Sequence, residues 1–153
     1  MENRNAEFNT DWHKDQQFLQ TRISGDATIQ DITDWEQSLI SALSQIPDNS
    51  AFKIFINLNG FSAIDIEAHK RFRNIIPLTL ANYGWKVGYI KLFEEEAKEV
   101  CYTHIRGIKC VAAAHVHHDR TKIDKYSTLF DHQSERFFTN PTLAMNWIEH
   151  IKV

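Results

Sequence analysis

The residues of this sequence best suited to chemistry are the histidines gathered near residue 115. His115 and His117 follow an apolar run typical of a strand, and alternation along a strand places both on one face. Two imidazoles at that spacing could share a Zn²⁺ ion, with His118, Asp119 or His132 as a further ligand. No His-Glu-x-x-His or Cys-x-x-Cys motif accompanies them, and histidines at a strand end are more often polar residues at a sheet edge. We therefore predict no metal site, and a metal hypothesis would depend on His115 and His117.

A second candidate is the stretch AFKIFINLNGFSAIDIEAHKRF, from Ala51 to Phe72, which reads as a strand, a tight turn and the start of a helix. In α/β proteins, ligands bind where strands end and helices begin, because backbone N–H groups and the positive end of a helix dipole converge there. The alternative, in which the segment has no binding role, is a simple turn followed by helix-capping residues. The predicted ligand- or partner-binding residues of this turn are Asn59, Gly60, Ser62, Asp65 and Glu67.

Sequence motifs for catalysis are missing. There is no Gly-x-Ser-x-Gly elbow, no P-loop and no Gly-x-Gly-x-x-Gly, so we predict a protein that is not an enzyme and uses no cofactor. The net charge of −3 gives no electrostatic footprint for nucleic acid. No segment approaches the roughly 18 apolar residues of a membrane span, and the N-terminus lacks the apolar region of a signal peptide. We expect a cytoplasmic protein.

The elements that must position these residues follow from hydrophobic periodicity. Strands are predicted at 18–23, 52–58, 85–93, 109–116 and 135–138; helices are predicted at 32–46, from 66 to 80 with a break at Pro77, from 94 to 106, after Asp119, and from Asn140-Pro141 onward. This alternation predicts an α/β fold with a mixed, mostly parallel sheet of four to six strands. Residues 1–10 are predicted to form a flexible tail, and residues 11–153 a single domain.

Two segments resemble a known family. NLNGFSAIDIEAHKRF is similar to the strand–turn–helix of STAS domains, named for sulfate transporters and anti-sigma-factor antagonists, and ERFFTNPTLAMNWIEHI is similar to the closing strand and helix of their SpoIIAA-like branch. The resemblance implies helices mainly on one face of the sheet, a possible homodimer, and regulation through binding instead of chemistry. Asp65 matches an aspartate of the phosphorylation motif, but Glu67 occupies the phosphoacceptor position, so the resemblance does not imply a serine-kinase switch there.

Aromatic residues cluster in the second half of the chain: Trp85, Tyr89, Phe93, Phe130, Phe137, Phe138 and Trp147. Aromatics at strand and helix spacing usually form core. STAS-like folds are also distantly similar to CRAL-TRIO lipid-binding domains, which implies a cavity among these residues as an alternative. The leading hypothesis is a module that binds a protein partner or small ligand through the 59–67 turn. The alternative is a carrier of a small apolar or lipid-like ligand beneath the later helices.

Overall fold

The structure is a computed structural model, and it describes residues 5–153. Its strands are β1 (Glu7–His13), β2 (Phe18–Ala27), β3 (Ala51–Leu58), β4 (Phe61–Ala63), β5 (Lys109–His117) and β6 (Glu135–Phe138). Its helices are α1 (Ile29–Leu43), α2 (Ile66–Arg73), α3 (Ile75–Ala81), α4 (Glu94–Glu99), α5 (Arg120–Phe130) and α6 (Pro141–Glu149), with short 3-10 segments at Lys14–Gln16, Gly88–Leu92 and Ile105–Gly107. None of the helices in this part of the chain is long and apolar enough to cross a membrane.

The six strands form one mixed sheet in the order β1-β2-β3-β5-β6, with β4 paired to the end of β2. Only β1 runs antiparallel to its neighbour, and the other pairings are parallel. The predicted α/β class with a mostly parallel sheet is therefore confirmed. The register places His115 of β5 between Ile56 of β3 and Phe137 of β6, so the carboxyl ends of three strands meet at this histidine.

The predicted stop at Asn59-Gly60 is an interruption within a longer run of pairing. β3 pairs with β2 as far as Asn57–Arg22, and β4 resumes that pairing at Phe61–Gly25. The β3–β4 chain passes one more residue between these points than β2 does, which is the geometry of a bulge. Gly60 lies within it at φ 82°, a left-handed conformation that glycine adopts without steric cost.

The two faces of the sheet are covered differently. Helices α1, α2 and α3 pack on one face around Trp35, Ile54 and Leu80, and α5 lies over the same face beside β6. Helix α6 covers the opposite face, where Ala144 and Ile148 contact Phe55 and its neighbours. Two helices begin directly after capping residues. Thr28 and Asp31 form a capping box for α1, and Asn140 accepts hydrogen bonds from the first turn of α6.

The predicted strand at 85–93 is wrong, because this segment forms the 3-10 turn Gly88–Leu92. The Gly88 N–H donates to the Glu135 carboxylate at 3.0 Å, while those of Ile90 and Phe93 donate to carbonyls three residues earlier. These donors are therefore not available for a strand ladder. A Cβ at Gly88 would also lie 2.7 Å from Phe130 Cβ, so glycine permits the close approach of this turn to α5.

Three element boundaries also differ from prediction. The helix predicted over 94–106 ends at Glu99, since Val100 takes an extended conformation at φ −78° and ψ 124°. β2 continues beyond residue 23 because its end pairs with β4. The predicted tail contains the start of β1, since residues 7–10 pair with β2 and Thr10 Oγ1 lies 2.8 Å from the hydroxyls of Thr21 and Ser38. Residues 1–4 of that predicted tail lie outside the described residues.

Candidate functional site

A cavity of about 310 Å³ lies at the carboxyl ends of β3 and β5, beneath α2 and α5. Its volume is in the range of sites that bind small molecules, and its position is where open α/β sheets place their ligands. Most of its wall is apolar or aromatic: Ile56, Leu58, Phe61, Phe72, Ile76, Tyr89, Phe93, Ile123, Tyr126 and Phe137. Its polar side chains are His69, Arg73, His115, His117 and Lys122.

Stacked rings form the wall nearest β6. The rings of Tyr89 and Tyr126 stack with centroids 5.3 Å apart and planes 16° apart. The His115 ring stacks on Phe137 with centroids 4.5 Å apart and planes 8° apart, and the Tyr89 ring meets both at steep angles. The wall therefore presents several fixed ring surfaces, which favour contact with a flat aromatic or compact apolar group.

A buried polar pair stands behind this wall. His115 Nε2 lies 2.9 Å from Oε2 of Glu135, whose side chain is fully buried. The Glu135 carboxylate also accepts hydrogen bonds from Trp85 Nε1 and from the Gly88 N–H. Burial opposes ionisation, but the hydrogen bonds from His115, from the Gly88 N–H and from Trp85 outweigh it and hold the pKa of Glu135 below its ordinary value. An ionised carboxylate only accepts hydrogen bonds, so His115 Nε2 carries the proton.

Cationic side chains lie around the opposite part of the cavity. Arg73 donates from Nη2 to Glu96 at 2.5 Å, and its guanidinium lies 5.5 Å from the centre of the Phe93 ring. Its Nε is buried without a hydrogen-bond partner in the described chain. Burial lowers the pKa of His69, and the positive charges of Lys122 and Arg73 lower it further. This part of the cavity has a positive potential, which suits an anionic or electron-rich group.

His117 is the second histidine of β5 in the wall. Burial lowers its pKa to about 4, assisted by the charges of Lys122 and His118. Its Nδ1 accepts the Asp119 N–H at 2.9 Å, and its ring stacks on that of His118 at 4.4 Å. At neutral pH His117 is therefore an uncharged ring, and its Nδ1 accepts a hydrogen bond at the start of α5.

The structure gives no support to the zinc hypothesis. His115 pairs with Glu135, His117 and His118 accept backbone N–H groups, and His132 Nε2 lies 4.0 Å from the Glu135 carboxylate. Within residues 5–153 no group of three or more His, Cys, Asp or Glu side chains is placed to hold a metal ion.

The predicted 59–67 turn lies at the rim of the cavity. Leu58 and Phe61, on either side of Asn59-Gly60, both contribute to the wall, but none of the five predicted binding residues does. The N–H of Gly60 donates to His118 Nδ1 at 3.0 Å, and its carbonyl accepts the Gly25 N–H at 2.9 Å.

The remaining side chains of this turn have local roles or face outward. Asp65 caps α2 through the Ala68 N–H at 2.8 Å, whereas Ser62 and Glu67 are exposed. The polar backbone of the turn is thus largely engaged within the protein, and the turn shapes the edge of the cavity.

Sequence reasoning missed several residues of this site. His69, Arg73, Lys122 and Tyr126 carry no signal in the sequence beyond helical spacing. Glu135 was visible as the one acidic residue of an aromatic strand, ERFF, but its partner lies 20 positions earlier in β5. That pairing depends on the parallel register of β5 and β6.

Comparison of the chain with protein-family models, curated proteins and solved structures gave no match. The resemblance to STAS domains stays a prediction, and we argue the function from the geometry.

Proposed function

We propose that this protein binds and carries a small, mainly apolar molecule in the cavity beneath α2 and α5. The observation that carries the proposal is a roughly 310 Å³ space with an aromatic wall, located at the carboxyl ends of β3 and β5. Small-molecule sites are typically clefts of this size with mainly apolar and aromatic linings and a few polar groups, so this space suits a ligand of that kind. Moving about 200 Å² of apolar ligand surface out of water is worth about 5 kcal/mol before the entropic costs of binding.

The charges around the cavity favour a ligand with one anionic or electron-rich end. Lys122 makes no ion pair among the described residues, and Arg73 leaves its buried Nε without a partner. Among the described residues of the wall, the side chains with full charges at neutral pH are these two cations. An amphipathic molecule would place its apolar body against the rings and its polar end toward Lys122.

The experiment is native mass spectrometry of freshly purified protein, followed by titration with the fluorescent apolar probe N-phenyl-1-naphthylamine. Ile123→Phe on α5 projects a larger side chain into the cavity and should weaken probe binding at least tenfold. The matched control is Leu129→Phe on the same helix, where Leu129 is 56 % exposed and outside the wall. Probe binding that is absent in the wild type, or unchanged in Ile123→Phe, would count against the proposal.

A protein partner at the 59–67 turn is the second candidate. Its supporting observation is the exposure of Ile64 and Ile66, at 46 % and 72 %, beside the rim of the cavity. The resemblance to STAS domains also implies partner binding at this turn. Ile66→Ser should weaken capture of such a partner without changing probe binding, which separates this function from ligand carriage.

A further inference from the structure

One ring nitrogen of His115 forms a hydrogen bond within the protein, and the other does not. In the neutral imidazole Nε2 donates to the Glu135 carboxylate, and Nδ1 keeps its lone pair as a hydrogen-bond acceptor. No hydrogen bond to Nδ1 exists among the described residues. Nor is Nδ1 one of the fully buried, unpartnered side-chain atoms of this part of the chain, which are Trp12 Nε1 and Arg73 Nε. The residue is 7 % exposed and forms part of the cavity wall, so the cavity is the space that Nδ1 faces.

The contacts of His115 with Glu135 and Phe137 determine which ring nitrogen faces the cavity. Glu135 is itself held by Trp85 Nε1 and the Gly88 N–H, and the His115 ring is clamped by its stack on Phe137. The imidazole therefore cannot easily rotate to offer a donor to the cavity. A group that reaches it must supply the proton of the hydrogen bond.

We propose that the ligand of this cavity is a small aromatic hydroxyl compound whose O–H donates to Nδ1 of His115. This inference rests on the proposed function and names the ligand class of the same site. The aromatic body follows from the ring surfaces of Tyr89, Tyr126 and Phe137, which offer stacking and edge contacts. The hydroxyl follows from the Nδ1 acceptor of His115, which lies among the aromatic rings of the wall, because an apolar ligand would bury that acceptor without a partner.

The test compares 2-naphthol with 2-fluoronaphthalene, which has nearly the same shape but no donor. Titration of the wild-type protein should give a Kd for 2-naphthol about tenfold below that for 2-fluoronaphthalene. Nitrogen-15 NMR of the histidine side chains should show the Nδ1 resonance of His115 shifting on addition of 2-naphthol and staying in place with 2-fluoronaphthalene. The NMR measurement excludes a preference that comes from the cations around Arg73 and Lys122.

The variant His115→Phe keeps a ring on Phe137 and removes the acceptor, so it should bind the two compounds equally. His150→Phe, the same substitution at an exposed position on the end of α6, should keep the tenfold preference. If His115→Phe fails to fold, the wild-type preference and the Nδ1 shift still decide the question.

The outcomes separate the two proposals. Equal affinity of the wild type for both compounds, or an unmoved Nδ1 resonance, would overturn the role of His115 and leave the binding cavity intact. Failure of both compounds and of N-phenyl-1-naphthylamine to bind would overturn the cavity function and this inference together.

Discussion

The two faces of the sheet differ in how completely the buried polar side chains Lys53 and His115 are hydrogen-bonded. On the face covered by α6, Lys53 is 4 % exposed, and its ammonium donates to the carbonyls of Ile148, Glu149 and Ile151 at 2.8, 3.1 and 2.9 Å. All three ammonium protons are used, and their acceptors are carbonyls at the carboxyl end of α6, where fewer backbone N–H groups are available to donate. On the other face, His115 uses one ring nitrogen and leaves the second toward a cavity.

The packing of the two faces also differs. Small side chains at Ala112, Ala114 and Ala144 let α6 lie close against the sheet, and a groove of about 450 Å³ lies at the edge of this face beside Lys53 and Met145. Aromatic and long side chains separate α2 and α5 from the strand ends on the other face and leave about 310 Å³ open. A polar group whose hydrogen bonds are complete, such as Lys53, indicates a structural role, whereas a group with an unused acceptor beside an apolar cavity indicates binding.

The largest effect should come from removing the hydrogen bonds that Lys53 donates to the end of α6. Lys53→Met keeps the length of the side chain but removes every donor to the end of α6, so we expect the free energy of unfolding to fall by about 2–4 kcal/mol. Chemical denaturation followed by circular dichroism measures this loss. Lys109→Met on the exposed start of β5 is the matched control and should change stability by less than about 0.5 kcal/mol. A small loss for Lys53→Met would mean that water replaces the lysine at the helix end.

The next prediction compares added side-chain volume under α6 with added volume at the cavity. Ala114→Leu adds volume under α6, where side chains would have to move, and should cost about 1–3 kcal/mol. Ile123→Phe adds volume toward the cavity and should cost less than about 1 kcal/mol, because the space already exists. Both values come from the same denaturation measurement. Equal penalties would show that the cavity closes in solution.

The sequence predicted much of the fold because local signals decide it. The apolar runs of β3 and β5 and the Asn140-Pro141 start of α6 each act over a few residues and are confirmed. The 85–93 segment was assigned wrongly because its apolar spacing also fits a turn, and its conformation depends on the distant Glu135. In α6, Ala144 and Ile148 are fully buried, whereas Trp147 is half-buried against Phe138 and Arg136.

The site was less predictable than the fold. The turn was identified correctly as a strand end beside a helix start, yet its role at the rim of a cavity depends on how far α2 and α5 stand from the sheet. No short sequence pattern encodes that distance. The uncommitted nitrogen of His115 depends on the register between β5 and β6, which sets Glu135 beside it.

The smallest expected effect concerns pH and His117. Burial lowers the pKa of His117 to about 4 in the folded protein, whereas an unfolded histidine titrates near 6.5. Between these values the unfolded chain binds more protons, so stability is fully present above about pH 6.5 and falls as the pH is lowered toward 4. Because His117 is partly exposed, solvent screening reduces the contribution to about 1 kcal/mol.

The substitution His117→Gln removes this titration while keeping a polar side chain that can accept the Asp119 N–H. Urea denaturation of both proteins at pH 7 and pH 4.5 should show the wild type losing about 1 kcal/mol more than the variant. Glu135 also loses its stabilising charge as the pH falls through its lowered pKa, but it does so in both proteins and cancels in the difference. Parallel pH profiles would show that His117 titrates as an exposed residue, which would mean that the open face is more hydrated at its rim than the structure indicates.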